Sequence, residues 1–420
     1  MKKVFFAAIA VLLCFASCEK ESLETSKDTL TTLEQNTQSD TRGGASHYPS
    51  NEMVVQYDEG LSEAEKQALR DEYGVVHYKK CECADPTLEL WILDFSQGQG
   101  TGGSIEEKVG VAKEDSDIED ADFNPDILHG GVKLQQPFGP ANVDVAITKM
   151  VPSNQNVTIA ILDTGIDYNY FGFTSPFLYN SMADGDYCVE NDYKDIFGWD
   201  FVNQDNDAYD DHGHGTIGAN QVYRRLEADQ VHFQILPVKV FDANGKGSYF
   251  DILCGFKYAV NNDDVDVINM SFGWYADGYE LLGRFIEESQ DEVLITASAG
   301  NDMNNNDSTP HYPSSWEAYN IISVAAMANN DITVGLSTFS NFGPASVDIA
   351  ADGENIPFYI TPNELMYVSG TSYSSAIVAA AAGKAYEPGM SVQEHFVKVI
   401  ADGIVHNNLN MLKYSSYLQY

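Results

Sequence analysis

The chain has 420 residues, of which 44% are hydrophobic, enough apolar material for a large buried core and for more than one structural unit. It carries 63 acidic against 23 basic side chains, which gives a formal net charge of -40 at pH 7. Because so negative a surface repels a phosphate backbone, this balance excludes nucleic acid as a partner and favours a soluble extracytoplasmic protein.

Residues 1–18 have the organisation of a signal segment rather than of a folded element. Two lysines precede an apolar stretch, residues 4–15, that is too short to span a bilayer. Small residues then lead to Cys18, which resembles the bacterial lipoprotein signals whose cysteine is lipidated. An ordinary secretory signal that happens to contain a cysteine is the alternative. Since no other apolar run is long enough for a transmembrane helix, we expect membrane attachment through lipid only.

Residues 19–50 and 51–130 differ sharply in composition. The first segment is rich in Ser, Thr, Gln and charge, so it cannot offset its ordering entropy, and we predict a disordered tether. The second predicts strands and helices in the order β-α-β-β-α-β, which is typical of a small ferredoxin-like α+β domain. Its helix from Ser62 has a capping-box pattern, with Glu65 three residues on. The predicted elements are strands at 53–57, 74–78, 88–95 and 118–123 and helices at 62–73 and from 104.

Residues 131–420 alternate continuous apolar strands with helical patterns. This alternation predicts an α/β fold, with a mostly parallel sheet covered by helices on both faces. Ligands of such sheets bind beyond the carboxyl ends of the strands, and Asp163 lies at one of these ends. The predicted strands are 157–163, 235–240, 265–270, 293–297 and 321–325, and the clearest helices are 250–260 and 279–290.

Three short motifs in this region carry chemistry. Asp163 lies in Asp-Thr-Gly, His214 in Asp-Asp-His-Gly-His-Gly-Thr and Ser372 in Ser-Gly-Thr-Ser-Tyr-Ser-Ser. A serine hydroxyl is a poor nucleophile until a neighbouring base takes its proton, and an imidazole can accept and return that proton near neutral pH. We therefore expect Ser372 as nucleophile, His214 as base and Asp163 as the residue that orients the imidazole. Asn301, in Ala-Gly-Asn, is the expected side-chain donor to an oxyanion.

Each motif has another interpretation when taken alone. Asp-Thr-Gly is also typical of aspartic proteases, but the chain has no second such motif, so that reading requires a homodimer. His212 and His214 in isolation are compatible with a metal pair. The combination of the motifs is much more specific than any of its parts.

The order Asp, His, Ser resembles that of the subtilisin-like serine proteases, the subtilase superfamily, and the similarity covers nearly the whole of residues 131–420. It implies a serine endopeptidase acting on proteins or peptides through an acyl-enzyme, with no cofactor required for the chemistry. Placed directly before such a domain, residues 51–130 resemble the family's propeptide, an inhibitor removed by self-processing between residues 124 and 136. An unrelated accessory domain is the alternative. The implied localisation is the cell envelope, as an outer-membrane or surface lipoprotein, or secretion.

The same resemblance implies further site residues. His311 would lie at the base of the first specificity pocket with Phe272 on one wall, a pocket that is not selective for basic residues. Four residues resemble a weaker calcium loop of some members, against the alternative of a solvated acidic loop. The substrate-binding residues implied are Gly247, Tyr249, Ser271, Phe272, Gly273, Gly300 and His311, and the calcium ligands are Asp200, Asn203, Asp205 and Asp207.

The chain departs from the family pattern at two histidines, which Ile217 and Ile377 replace, and we expect correlated repacking there. The strong calcium loop of many members has no counterpart between residues 220 and 235, so we do not predict that site.

The cysteines leave pairing open. Cys81 and Cys83 lack two further ligands at zinc spacing, so we expect them to be structural or free, and a disulfide between Cys188 and Cys254 is undecided. Two other functions remain open as well. One is a pseudoprotease that binds peptides or envelope partners, and the other is a zymogen whose prodomain stays bound after cleavage.

Overall fold

The computed structural model describes residues 48–420 except 82, 96–102, 135–140, 153–155, 182–188, 191–192, 263, 276–278 and 330–332. All of these residues belong to one compact unit, Gln35–Tyr420. The predicted signal segment and almost the whole predicted tether lie outside the described residues. None of the helices within the described part of the chain has the length and apolar character that a membrane span requires.

The first part of this unit, residues 48–123, is a four-stranded antiparallel sheet with two helices. The order of elements is the predicted one, and the strands lie in the order β2-β3-β1-β4. Ser62 and Ser104 both cap their helices through reciprocal capping boxes. The elements are β1 (Glu52–Tyr57), α1 (Glu63–Tyr73), β2 (Val75–Cys81), β3 (Asp85–Leu93), α2 (Ile105–Ala112) and β4 (Ile118–Phe123). We call residues 48–123 the N-terminal unit.

The larger part is built on a nine-stranded sheet in the order β18-β19-β15-β14-β13-β12-β6-β10-β9. All neighbours in it are parallel except β18 and β19. The strands are β6 (Val157–Asp163), β9 (Trp199–Asp200), β10 (Phe233–Lys239), β12 (Val267–Met270), β13 (Leu294–Ser298), β14 (Ile321–Met327), β15 (Ile349–Asp352), β18 (Ile404–Val405) and β19 (Ser416–Leu418).

Helices cover both faces of this sheet. Along β6, Ile159 and Ile161 belong to a hydrophobic cluster with α4 and α7, whereas Ala160 and Leu162 belong to another with α5 and α6. The predicted α/β fold with a doubly covered, mostly parallel sheet is therefore confirmed. The helices are α3 (Val143–Lys149), α4 (His214–Ala228), α5 (Tyr249–Val260), α6 (Glu280–Glu288), α7 (Thr371–Ala385) and α8 (Val392–Ala401).

Short strands complete the structure outside the large sheet. One pair, β5 with β11, joins the segment after the N-terminal unit to the segment before α5. These strands are β5 (Asp126–Leu128), β7 (Val189–Glu190), β8 (Tyr193–Lys194), β11 (Lys246–Ser248), β16 (Ile356–Thr361) and β17 (Glu364–Val368).

Two sequence expectations are decided by this packing. Ile217 of α4 and Ile377 of α7 are both fully buried in the same hydrophobic cluster, as expected for correlated repacking. Cys254 forms a disulfide with Cys81, 173 residues earlier, with Cα atoms 5.5 Å apart, so the undecided pairing of Cys254 with Cys188 does not form. Cys83 is disulfide-bonded as well.

Candidate active site

The three motif residues lie at one edge of the sheet because each stands at an element end that faces this edge. Asp163 is the last residue of β6, His214 is the first residue of α4, and Ser372 lies in the first turn of α7. In parallel sheets this carboxyl edge is where strand-to-helix loops converge. The fold thus brings together residues that are far apart in the sequence.

Asp163 and His214 form a buried pair. His214 Nδ1 lies 2.9 Å from both carboxylate oxygens of Asp163, and the Thr164 N–H donates to Asp163 Oδ1 at 2.7 Å. Burial lowers the pKa of His214 to about 3 and raises the pKa of Asp163, which the Thr164 N–H opposes. With Nδ1–H donating to the carboxylate, the neutral imidazole keeps Nε2 as an acceptor, as a general base requires.

Asp210 fixes the loop that leads to His214, a role that the sequence analysis did not assign. Its Oδ1 accepts hydrogen bonds from the Thr164 hydroxyl and from the N–H groups of His212 and Gly213. Its Oδ2 accepts from both the N–H and the hydroxyl of Thr216. Its position in the motif that contains His214 could have indicated this role, because a buried carboxylate is stable only where it accepts hydrogen bonds, here from several neighbouring donors.

Ser372 and Ser271 are held together by two hydrogen bonds. The Ser372 hydroxyl donates to the Ser271 carbonyl at 3.0 Å, and the Ser271 hydroxyl donates to the Ser372 carbonyl at 2.8 Å. His214 Nε2 has no hydrogen-bond partner among the described residues. The Ser372 hydroxyl and the His214 imidazole are therefore not joined by a hydrogen bond in this arrangement.

Asn301 is oriented for a donor role. Its Oδ1 accepts from the N–H of Thr371 at 2.9 Å and from the Thr371 hydroxyl at 3.1 Å. The amide oxygen is occupied in this way, which leaves Nδ2 as the hydrogen-bond donor of the side chain. The backbone N–H of Ser372 lies in the first turn of α7, where helix N–H groups have no intrahelical partner. A side-chain amide and a backbone N–H are the kinds of donor that oxyanion sites use.

His129 also lies in this site, and the sequence analysis missed it. Its ring lies edge-on to the ring of His214, with centroids 3.6 Å apart, and its Nε2 is 3.9 Å from Asp163 Oδ1. Its Nδ1 accepts a hydrogen bond from Gly131 N–H at 2.9 Å. Burial lowers its pKa well below the usual value, so this imidazole is neutral. Its position between residues 124 and 136, where cleavage was expected, could have indicated a location near His214.

Residues 126–129 reach this position by strand addition. β5 pairs antiparallel with β11, with Ile127 opposite Gly247, and the His129 N–H donates to the Gly245 carbonyl at 2.6 Å. Ile127 is buried, whereas Leu128 is 67% exposed and points to solvent. The chain's own segment thus adds a strand to β11, the way in which extended peptides add to an exposed sheet edge.

The remaining predicted substrate-binding residues divide into two groups. Gly273 and Gly300 both approach the buried ring of His311, and Phe272 packs edge-on against Phe241 with centroids 5.0 Å apart. Tyr249 lies elsewhere: its side chain is fully buried at the start of α5, and its hydroxyl accepts from the Leu282 N–H.

The predicted calcium ligands lie in a turn that is closed by its own hydrogen bonds. Asp200 Oδ1 accepts from the N–H groups of Val202 and Asn203, and Asp200 Oδ2 accepts from Asn203 Nδ2. Asp205 accepts from the Asp207 N–H. Burial raises the pKa of Asp200 to about 6. Calcium at this loop stays a prediction.

Within the described ranges, a different set of potential metal ligands lies close together, namely His129, Asp163 and His214, with ligand atoms within 4.8 Å of one another. All three are buried, and two of them form the Asp163–His214 pair described above. A serine hydroxyl, a neutral imidazole paired with a buried carboxylate, and an asparagine amide at one edge of a sheet are groups of the kind that acyl transfer uses.

Comparison with known proteins gives consistent matches. A family model described as the subtilase family matches residues 154–413. The cell wall-associated protease of Bacillus subtilis (strain 168) is 32% identical over 289 residues, which cover 66% of this chain and 29% of that protein. The thermophilic serine proteinase of Bacillus sp. (strain AK1) is 34% identical over 255 residues, covering 58% and 56%. The chain therefore spans less than two thirds of the length of these relatives.

A solved structure, that of a cold-adapted subtilisin-like serine proteinase, aligns with 67% of this chain and 98% of its own, at 20% identity and a TM-score of 0.49.

Proposed function

Because the chain belongs to the subtilase family, we propose that it is a serine endopeptidase, which cleaves protein or peptide substrates through an acyl-enzyme on Ser372. The observation that carries this proposal is the convergence of Asp163, His214, Ser372 and Asn301 at one edge of the sheet.

The proposed reaction has two halves. His214 Nε2 takes the proton of Ser372 as its oxygen attacks the substrate carbonyl, and Asp163 stabilises the imidazolium that forms. Asn301 Nδ2 and the Ser372 N–H donate to the oxyanion. The imidazolium then returns its proton to the leaving amine, and water hydrolyses the ester in the same way. No metal or cofactor is required for these steps, and calcium is proposed only as a structural ion at residues 200–207.

The precursor is proposed to be an inhibited zymogen, with residues 51–130 as its propeptide. Two observations support this: β5 pairs with β11, and His129 covers the imidazole of His214. While this segment is in place, a substrate cannot add a strand to the same edge. Processing between residues 124 and 136 would allow this segment to move off the edge. An extracytoplasmic location with a lipid on Cys18 is proposed from the sequence alone.

The test is the intact mass of a soluble form beginning at Glu19, which lacks Cys18 and so its lipid. Wild type, Ser372→Ala and Ser374→Ala are compared after reduction and alkylation, because the disulfide joins the two parts of the chain. We expect wild type and Ser374→Ala to split between residues 124 and 136 and Ser372→Ala to stay whole. Ser374, whose hydroxyl donates to the Asp352 carbonyl, is the matched control in the same helix.

The opposite outcome has a defined meaning. If wild type stays whole, does not react with a fluorophosphonate and does not hydrolyse casein, the peptidase proposal is wrong and the chain is a peptide-binding pseudoprotease.

A further inference from the structure

The ring of His311 fills the space between two backbone segments of the cleft, residues 271–273 and 299–301. An ideal Cβ placed on Gly273 would come within 2.6 Å of His311 Nε2, and one placed on Gly300 would come within 3.1 Å of His311 Cδ2. We call the space between these segments the first pocket. The imidazole therefore packs directly against both backbone segments and takes up space between them.

The imidazole is also held in place. Its Nδ1 lies 3.2 Å from the Ser314 hydroxyl, the ring also faces the backbone of Ser298, and Tyr275 packs edge-on against it at 4.9 Å. The backbone after it is tied to the pocket wall, because Tyr312 and Trp274 exchange two backbone hydrogen bonds of 2.8 and 2.9 Å. Moving the ring aside would break these contacts, so we treat it as a fixed part of the pocket.

Residues 126–131, the chain's own segment in the cleft, are compatible with a first pocket that is taken up by the imidazole of His311. Its register buries Ile127, exposes Leu128 and lays His129 on His214, and the next two residues are both glycine. A Cβ on Gly130 would meet nothing within 4 Å, so Gly130 is not seated in the pocket in this arrangement. If Gly130 moves into the first pocket for cleavage, it brings no side chain that would need space beside His311.

We propose that His311 determines specificity by restricting the residue on the acyl side of the cleaved bond to glycine or alanine, and that the chain's own cleaved bond is Gly130–Gly131. This rests on the proposed endopeptidase function. In that cleavage the Ser372 oxygen bonds to the Gly130 carbonyl carbon, and its proton passes through His214 to the departing Gly131 nitrogen. Water then hydrolyses the ester, which leaves a carboxylate on Gly130 and restores the serine.

The test uses processed enzyme and fluorogenic peptides of sequence Ile-Leu-His-Xaa, cleaved after Xaa, where Xaa is Gly, Ala, Leu, Phe or Lys. We expect wild type to favour Gly and Ala over Phe by about 100-fold in kcat/KM. His311→Gly should raise the ratio of kcat/KM for Phe to kcat/KM for Gly by about tenfold or more. His395→Ala, which removes a buried histidine of α8, is the matched control and should keep the wild-type preference.

Three results would overturn the proposal. The first is a wild-type preference for large residues, the second is an unchanged preference in His311→Gly, and the third is a processed N-terminus that follows a residue other than glycine or alanine. His311→Ala replaces His311→Gly if the latter fails to fold. Fluorophosphonate labelling separates the two levels: a labelled enzyme with the wrong preference refutes only the role of His311, whereas an inert one refutes the peptidase proposal and this one with it.

A second, independent observation concerns the fate of the N-terminal unit. The Cys81–Cys254 disulfide joins the end of β2 to the middle of α5, on opposite sides of the segment that processing would cut. Beside it, Lys79 Nζ forms an ion pair of 2.6 Å with Asp251 and donates to the Phe201 carbonyl at 2.9 Å. The bond therefore lies within an ordered contact rather than at a loose loop.

The same contact continues along α6. The Leu281 N–H donates to Asp122 at 3.3 Å, and the Arg284 guanidinium forms an ion pair of 3.1 Å with Glu119. Cleavage after residue 130 breaks none of these contacts and does not break the disulfide.

We infer that the N-terminal unit remains a disulfide-linked subunit of the processed enzyme. Its new carboxyl end stays near the cleft at a high effective concentration, as expected for a tethered ligand. Release requires a dithiol reductant, which gives two electrons and two protons to the bond, leaves both cysteines as thiols and is itself oxidised to a disulfide. An oxidising compartment, in which disulfides persist, would keep the two parts joined.

The test does not depend on self-processing. A Ser372→Ala chain receives a recognition sequence for a foreign site-specific protease between Gly130 and Gly131, and Cys83→Ser removes the other disulfide that involves the N-terminal unit. After cutting and alkylation, we expect one species on non-reducing denaturing gels and two after dithiothreitol. Adding Cys254→Ser should give two species under both conditions. Separation of the Cys254-containing protein without reductant, or alkylated Cys81 and Cys254 in its peptide map, would refute the inference.

Discussion

The imidazoles of His129 and His214 meet edge to face, with ring centroids 3.6 Å apart, and both are buried. His129 belongs to the segment that follows the N-terminal unit, whereas His214 begins α4. The contact therefore couples the position of that segment to access to the base. The contribution of this contact to closing the site can be measured in the unprocessed chain.

Replacing His129 with alanine should expose the site in the unprocessed chain. Loss of this buried ring contact weakens the hold of the segment on the cleft, and we expect fluorophosphonate labelling of Ser372 to be about tenfold faster. Labelling is measured at early times, before processing. Leu128→Ala is the control, because that side chain points to solvent, and its labelling rate should equal that of wild type. Equal rates for both variants would mean that His129 does not limit access.

Asn301→Ala should lower kcat by about 10²- to 10³-fold with little change in KM, because the donor acts on charge that develops in the transition state. Steady-state kinetics on a peptide substrate measures both constants. Asn410→Ala, which removes an exposed asparagine near the C-terminal end of the sequence, is the control and should leave kcat within about twofold of wild type. A large rise in KM without a fall in kcat would contradict the assigned role.

His311 should make stability depend on pH. Burial lowers its pKa from 6.5 to about 4, so between these values the unfolded chain binds a proton that the folded protein does not. The free energy of unfolding therefore rises with pH from about 4 to 6.5 and is level above, and the full effect is about 3 kcal/mol. Urea unfolding of Ser372→Ala is compared with that of Ser372→Ala/His311→Ala across this range. Between pH 4 and 6.5 the free energy of unfolding should rise more steeply with pH in Ser372→Ala than in the double variant. Parallel curves would show that His311 does not contribute.

Glu89 should be essential to the N-terminal unit. Its carboxylate is buried with Arg70 at 2.5 Å and also accepts from the Tyr57 hydroxyl at 2.8 Å and Trp91 Nε1 at 3.0 Å. Glu89→Ala leaves the guanidinium buried without its main counter-ion, and we expect a loss of about 3–5 kcal/mol in the free energy of unfolding.

Glu63 provides the matched control, because it contacts the same Arg70 but its side chain is 58% exposed. Glu63→Ala should cost less than about 1 kcal/mol. Limited proteolysis of Ser372→Ala chains would then cut within residues 48–123 far faster in Glu89→Ala than in Glu63→Ala. Similar cleavage of the two variants would show that burial of the pair is not decisive.

Much of the local structure follows from the sequence. The strand Val157–Asp163 has its predicted bounds, and Ser62 caps its helix as the pattern with Glu65 indicates. Helix α6 is shorter than predicted, Glu280–Glu288 rather than 279–290, since the ends of a periodic pattern are less well defined than its centre. Periodicity and capping depend on residues that are neighbours in the chain, so they can be predicted directly from the sequence.

The chain by itself thus determined the order of elements, the fold class and the motifs that hold Asp163, His214 and Ser372. It did not determine which distant residues meet. The Cys81–Cys254 bond joins positions 173 residues apart, whereas the sequence left only a pairing of Cys254 with Cys188 open. The positions of His129 on the base and of His311 between two glycines also depend on register and packing. Such contacts are set by how separate elements close on one another in the folded core, and only the tertiary structure decides them.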